Sequence, residues 1–114
     1  MMTYKLETLD LGEAKLFLSS IEDAARKMKL TNSWLSEKYK KAVQSRKDEF
    51  LAGRFCAKKA ASLLNFNLEH LEVGENREPL WPSSIVGSIS HSKELVCAIV
   101  GLSKNYKSIG VDLE

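Results

Sequence analysis

Two short apolar runs, Val86 to Ile89 and Leu95 to Val100, flank a Ser90-His91-Ser92 turn, and a third, Ile109 to Leu113, alternates apolar residues with Gly110 and Asp112. Short bounded runs with a period of two predict three strands. Upstream the period lengthens. Phe50, Gly53, Ala57, Ala60, Ala61 and Leu64 recur at three and four residues, from a start at Ser45 and Asp48 to a stop at Asn65-Phe66-Asn67, and predict the chain's strongest helix. Small residues at 52, 53, 56, 57, 60 and 61 let that helix lie close against a sheet. Gly53 inside a helix costs up to ~1 kcal/mol relative to Ala, so a close approach is its expected reason. Ile21, Ala24, Ala25 and Met28 predict a shorter helix from about residue 20 to 29, with Ser19 and Glu22 at capping-box spacing. Trp34 to Val43 reads as another helix after the Thr31-Asn32-Ser33 break. Thr3 to Leu9 alternates loosely, as an edge strand would. Leu68 to Val73 reads as a short strand followed by a Gly74-Glu75-Asn76 turn. The fold class is α+β: helices packed on a small antiparallel sheet of three or four strands, made mostly by the last third of the chain.

Composition adds limits. A chain of 114 residues with 44% hydrophobic and 28% charged residues is one ordinary globular domain's worth. No apolar stretch approaches the ~20 residues of a membrane span, and Met1-Met2-Thr3-Tyr4-Lys5 lacks the apolar core of a signal peptide, so the cytoplasm is the expected compartment. Cys56 and Cys97 sit in apolar settings without C-x-x-C spacing and read as reduced core thiols. Charge is uneven. Residues 26 to 59 hold eleven Lys or Arg against three acids, a local excess of eight, within a chain whose net charge is +2. Such a segment suits a polyanion or forms a solvated helical face, and charge alone does not choose between them.

Candidate chemistry gathers in the last third. Strand alternation sends Asp112 and Glu114 to one face, about 7 Å apart, where two carboxylates can share a hard divalent cation or simply end an exposed strand. His91, among hydroxyls and a glycine, suits an anion better than a core. Arg54 neighbours the inward-packing Gly53, so its guanidinium either emerges at the sheet edge, where a bidentate fork suits a phosphate, or lies on the surface with a buried stem. Ser90 beside His91 does not make a hydrolase. Adjacent strand residues face opposite ways, and no G-x-S-x-G elbow is present.

Gly87-Ser-Ile-Ser-His-Ser92, followed about twenty residues later by Gly110-Val-Asp-Leu-Glu114, resembles the paired signature of the 4′-phosphopantetheinyl transferases. Phe50-Leu-Ala-Gly-Arg-Phe-Cys-Ala57 and Arg77-Glu-Pro-Leu-Trp-Pro82 resemble the helix and coenzyme A loop of the enterobactin-synthetase type in that superfamily. The resemblance covers about residues 45 to 114. It implies one pseudo-symmetric half of that fold and transfer of 4′-phosphopantetheine from coenzyme A to a serine of an apo acyl or peptidyl carrier protein. It also implies coenzyme A on Arg46, Arg54, Arg77, Ser90 and His91, with Arg77 on the adenosine or its 3′-phosphate and the others on phosphates, and Mg2+ on Asp112 and Glu114. Glu78 stands between Arg77 and Pro79, where the family's basic residue commonly precedes the proline directly. Trp81-Pro82 reads as a packing anchor.

The resemblance further implies a second half carrying a W-x-x-K-E motif, with another acidic metal ligand serving as general base. Trp34 and Trp81 precede no Lys-Glu pair, so no catalytic base is assigned here. Residues 1 to 114 are accordingly expected to be the N-terminal lobe of a longer transferase, inactive alone; the alternative that the sequence leaves open is a complete short protein that pairs with itself or with another chain, and an open sheet edge after Ile109 favours dimerisation or aggregation. A rival reading is a non-enzymatic basic module that binds nucleic acid or an acidic partner protein through residues 26 to 59. The absence of a nucleic-acid motif, and the few aromatics among the basic residues, count against nucleic acid. The carrier and its pathway are left open.

Overall fold

The computed structural model describes residues 4–6, 13–29 and 43–113. The helix expected over Trp34 to Val43 lies outside these apart from Val43, as does Glu114. Strand β1 (Tyr4–Leu6) is followed by β2 (Lys15–Ser20), helix α1 (Ile21–Lys29) and helix α2 (Gln44–Ser62). Strands β3 (Glu72–Val73), β4 (Pro79–Leu80), β5 (Ile85–His91), β6 (Leu95–Leu102) and β7 (Val111–Leu113) complete the order.

The three-stranded antiparallel sheet runs β2-β6-β5. Central β6 is apolar on both faces, which is why its sequence reads as an unbroken run. Val96, Ala98 and Val100 join the core beneath α1 and α2. Cys97 and Ile99 face the opposite way and pack with Ala14, Ile109, Val111 and Leu113. The sheet is thus covered by helices on one side and by the β7 segment on the other. β7 itself pairs antiparallel with β1, with Tyr4 opposite Leu113 and Leu6 opposite Val111. The edge expected to lie open is therefore filled: β1 occupies one side of β7, and on the other the Ser88 and Ser90 hydroxyls accept the Val111 and Leu113 N–H groups.

The local signals resolve as follows. α1 is capped one residue later than the spacing suggested: Ser20 Oγ accepts the Asp23 N–H at 3.1 Å, while Ser19 Oγ donates to the Ser20 carbonyl. β2 runs through Ser20 and delays the helix. Arg26 then bonds Asp23 at 3.0 Å and holds its carboxyl below the usual range. α2 begins at Gln44 after an extended Val43 and uses no side-chain cap, in place of the expected start at Ser45. Its end is a Schellman turn. Asn65 takes a left-handed φ of 60°, the Phe66 N–H reaches the Ala61 carbonyl at 3.0 Å, and the Asn65 N–H reaches Ser62. The strand expected from Leu68 shrinks to β3, because Leu68 and Leu71 are already buried against the helical core as irregular chain. No sequence signal predicted β2. Phe17 faces α2 and stacks edge-on with Phe55 at 5.9 Å, whereas Leu16 packs with the opposite core, so Lys15 to Ser20 shows no alternation.

No helix among the described residues is long and apolar enough to cross a membrane. Cys56 and Cys97 are free, buried thiols, as expected. Burial pushes the Cys56 thiol up to about 12, and Cys97 is also raised, chiefly by burial. Because the folded protein favours the neutral thiols, their contribution is complete below the unfolded value of 9.0 and is lost as pH rises toward about 12. Chemical denaturation between pH 8 and 11 is expected to show falling stability, with a shallower fall in Cys56→Ala.

Gly53 and Gly87 mark close approaches between elements. A Cβ at Gly53 would stand 2.9 Å from Ile89 Cγ2, and one at Gly87 would stand 2.6 Å from Trp81 Cζ2 and 2.9 Å from the Ile99 carbonyl oxygen. A methyl group can turn aside, but a backbone oxygen and an indole cannot. Gly87→Ala is expected to destabilise the chain by about 1–3 kcal/mol, and Gly53→Ala by less, read from urea midpoints; the reverse order would contradict the packing described.

Candidate functional site

Arg46, Glu49, Phe50, Gly53 and Arg54 fall at i, i+3, i+4, i+7 and i+8, which puts them on one face of α2. That face borders a cleft of about 170 Å³, whose other walls are Arg77 and Pro79 from the β3–β4 hairpin and Ile89 and His91 from β5. Gly53 makes the cleft possible by letting α2 settle onto Ile89. Alternation along β5 then places His91, two residues on, against the same helix.

Arg54 departs from both readings of its sequence position. It is neither on the surface nor spread at the sheet edge: it is 6% exposed, with its guanidinium carbon 4.3 Å from the Phe50 ring centroid. This stack holds a cation in a partly desolvated wall. Its Nε and Nη2 are buried without a hydrogen-bond acceptor among the described residues. Arg46 is exposed near the N-terminal end of α2, where the helix dipole adds positive potential. Arg77 is exposed with a φ of 65°, in the turn where the Gly74 N–H bonds Glu78 and the Arg77 N–H bonds the Gly74 carbonyl. His91 Nδ1 lies 3.4 Å from the Ser92 carbonyl and 3.8 Å from Glu49 Oε2, which leaves its Nε2 edge for the cleft.

The structure thus brings together four of the five residues expected to meet a phosphate: Arg46, Arg54, Arg77 and His91. Ser90 is not among the lining residues. Its hydroxyl points to the other face of β5, where it accepts the Leu113 N–H at 2.9 Å and lies 3.5 Å from Asp112 Oδ1. Sequence reasoning passed over Glu49 and Ser88. The signal for Glu49 was its helical register with Arg46 and Gly53; for Ser88 it was the two-residue spacing to Ser90.

Asp112 is exposed on β7 between buried Val111 and Leu113. Its carboxylate and the Ser90 hydroxyl are hard oxygen donors, a chemistry that fits Mg2+. Among the described residues no group of three or more His, Cys, Asp or Glu side chains gathers to hold a metal. Asp112 is the part of the expected acidic pair that the structure describes.

Comparison with known proteins gives a consistent family. Residues 35–101 match the 4′-phosphopantetheinyl transferase N-terminal domain. The chain is 34% identical over 74 residues to 4′-phosphopantetheinyl transferase Npt of Nocardia iowensis, covering 65% of this chain and 33% of that protein. It is 38% identical over 73 residues to enterobactin synthase component D of Shigella flexneri, covering 64% of this chain and 33% of that protein. The match thus spans about a third of the length of these relatives. In fold it is similar to a holo-(acyl-carrier-protein) synthase from Bacillus anthracis, solved in complex with CoA (3′,5′-ADP), with a TM-score of 0.60 and 22% identity over 79% of this chain and 94% of that one.

The cleft can be probed as an anion site without assuming any reaction. Inorganic pyrophosphate is expected to raise Tm by mass action. The rise should shrink at high salt and be largely lost in Arg54→Met, which keeps the aliphatic stem but removes the charge. An equal rise in that variant would place the anion elsewhere.

Proposed function

Because this chain belongs to the 4′-phosphopantetheinyl transferase family, we propose that it supplies the coenzyme A-binding lobe of an enzyme that transfers 4′-phosphopantetheine to a serine of an apo carrier protein. The observation that carries this reading is the convergence of Arg46, Arg54, Arg77 and His91 on one cleft. Three permanent cations and an imidazole suit a ligand with several phosphates. Coenzyme A offers a pyrophosphate and a 3′-phosphate, and the cleft's length along α2, roughly 12 Å from Arg46 to Arg54 at 1.5 Å per residue, suits groups that far apart. Arg54 is held by its stack on Phe50, so it meets an anion with little further loss of side-chain freedom.

In the proposed reaction the carrier's serine oxygen forms a bond to the β-phosphorus, and the bond to adenosine 3′,5′-bisphosphate breaks. The cleft residues hold the bisphosphate portion and orient the pyrophosphate; they do not take the serine proton. Asp112, with Glu114, would hold Mg2+, which when bound neutralises charge on the pyrophosphate oxygens. Ser90 sits between the two sets of residues, on edge strand β5, which carries His91 on one face and meets Asp112 of β7 on the other.

Two measurements test the proposal. Calorimetric titration of coenzyme A into the chain should give binding that weakens with salt and falls about tenfold or more in Arg46→Ala and Arg77→Ala, since a hydrogen bond to a charged group contributes about 1.5–3 kcal/mol. Undiminished binding in both variants would remove the cleft from the reading. Intact mass of an apo carrier protein incubated with coenzyme A, Mg2+ and the chain should show no phosphopantetheine-sized gain, because the serine's general base belongs to the other lobe in this proposal. A gain would show that the 114 residues suffice and overturn the one-lobe assignment.

A further inference from the structure

We propose that Ser88 and Ser90 are positioning residues: their hydroxyls stand in for the carbonyls of an absent neighbouring strand and fix the register of β7, and so the place of Asp112. β5 uses its backbone to pair with β6, and β7 pairs with β1. Among the described residues no backbone ladder joins β5 to β7. The connection is made by two side chains. Ser88 Oγ lies 3.4 Å from the Val111 nitrogen, and Ser90 Oγ lies 2.9 Å from the Leu113 nitrogen.

The geometry explains why two serines two residues apart are needed. Side chains at i and i+2 of a strand project from one face about 7 Å apart, and N–H groups along one edge of a strand repeat at the same interval. A Ser-x-Ser pair therefore matches a strand edge residue for residue. A one-residue slip of β7 would present neither N–H to a hydroxyl and would turn Asp112 inward in place of Val111 or Leu113. Ser90 adds a second constraint. Its oxygen accepts from Leu113 while its proton is directed toward Asp112 Oδ1 at 3.5 Å, so a single hydroxyl holds both the backbone and the carboxylate of the acidic strand. Antiparallel alternation turns the Asp112 N–H the other way, toward Lys5 of β1.

The consequence for a cation rests on the reading of Asp112 given above; the register claim does not. Amide hydrogen exchange on the 114-residue chain, with Mn2+ as a paramagnetic probe, separates them. In Ser88→Ala combined with Ser90→Ala, exchange at Val111 and Leu113 is expected to quicken at least tenfold. The Asp112 amide and the β6 amides should hold their rates, and threonine at both positions should restore protection. This period-two pattern is one that general loss of stability would not produce. In the same variant the Mn2+ concentration that half-broadens the Asp112 resonance should rise several-fold and recover with threonine.

Unchanged exchange at Val111 and Leu113, or equal quickening throughout β6 that threonine does not repair, would overturn the proposal. If Mn2+ leaves the Asp112 resonance of the unaltered chain sharp, the cation reading fails, and the exchange pattern alone decides the serine assignment. If Mn2+ binds the unaltered chain and the alanine variant equally while exchange changes, the serines hold the strand without placing the carboxylate, and the proposal as stated is wrong.

Discussion

Helix α2 rests on β5 so closely at Gly53 that an added Cβ would stand 2.9 Å from Ile89 Cγ2, and the rest of the site depends on that contact. The absence of a Cβ at Gly53 lets the helix descend onto Ile89. With Ile89 fixed as the contact, the pleat of β5 assigns every other residue on the strand. His91 must face the helix, and Ser88 and Ser90 must face away from it. Two chemistries then occupy the two faces of one edge strand: a cationic cleft on the helical side, and hydroxyls and a carboxylate on the other. Displacing the helix outward by even a methyl's width would separate Arg54 from His91 without altering either residue.

The cationic side is built from charges in unequal environments. Arg46 and Arg77 are exposed, where their fields are screened by solvent and salt. Arg54 is buried against Phe50, in a setting of lower effective dielectric where each hydrogen bond to an anion counts for more. Glu49 sits among them as the one acid lining the cleft among the described residues, beside His91. A cleft so composed attracts anions over a distance through its exposed arginines and holds them through its buried one.

Much of this was readable in the chain because the signals were local. The three strands of the last third, α1, and the close approach at Gly53 follow from period and from residue size. The shared cleft also followed in outline, since Arg46, Arg54, Arg77 and His91 stand in motifs whose order and spacing resemble one family. What escaped was set by partners distant in sequence. β2 buries Phe17 on one side and Leu16 on the other, so it has no period to detect. The burial of Arg54 depends on where the hairpin and β5 lie, which no helical pattern contains. Ser90, assigned to phosphate by its motif, is turned by the strand's own alternation toward β7. The alternation had been used to set Ser90 and His91 on opposite faces; the structure shows which face each one has.

The pairing of β1 with β7 joins segments more than a hundred residues apart, whereas α2, β5 and β6 meet across much shorter stretches of chain. Closing so long a loop costs more entropy than forming the hairpin-like β5–β6 ladder, by an amount that grows with the logarithm of the loop's length. The two sides of the site therefore differ in the sequence span of their contacts as well as in charge. The cationic cleft is built by α2, the β3–β4 hairpin and β5, neighbours along the chain, whereas the acidic strand is paired with a strand from the opposite end and received on its other edge by the serine hydroxyls of β5.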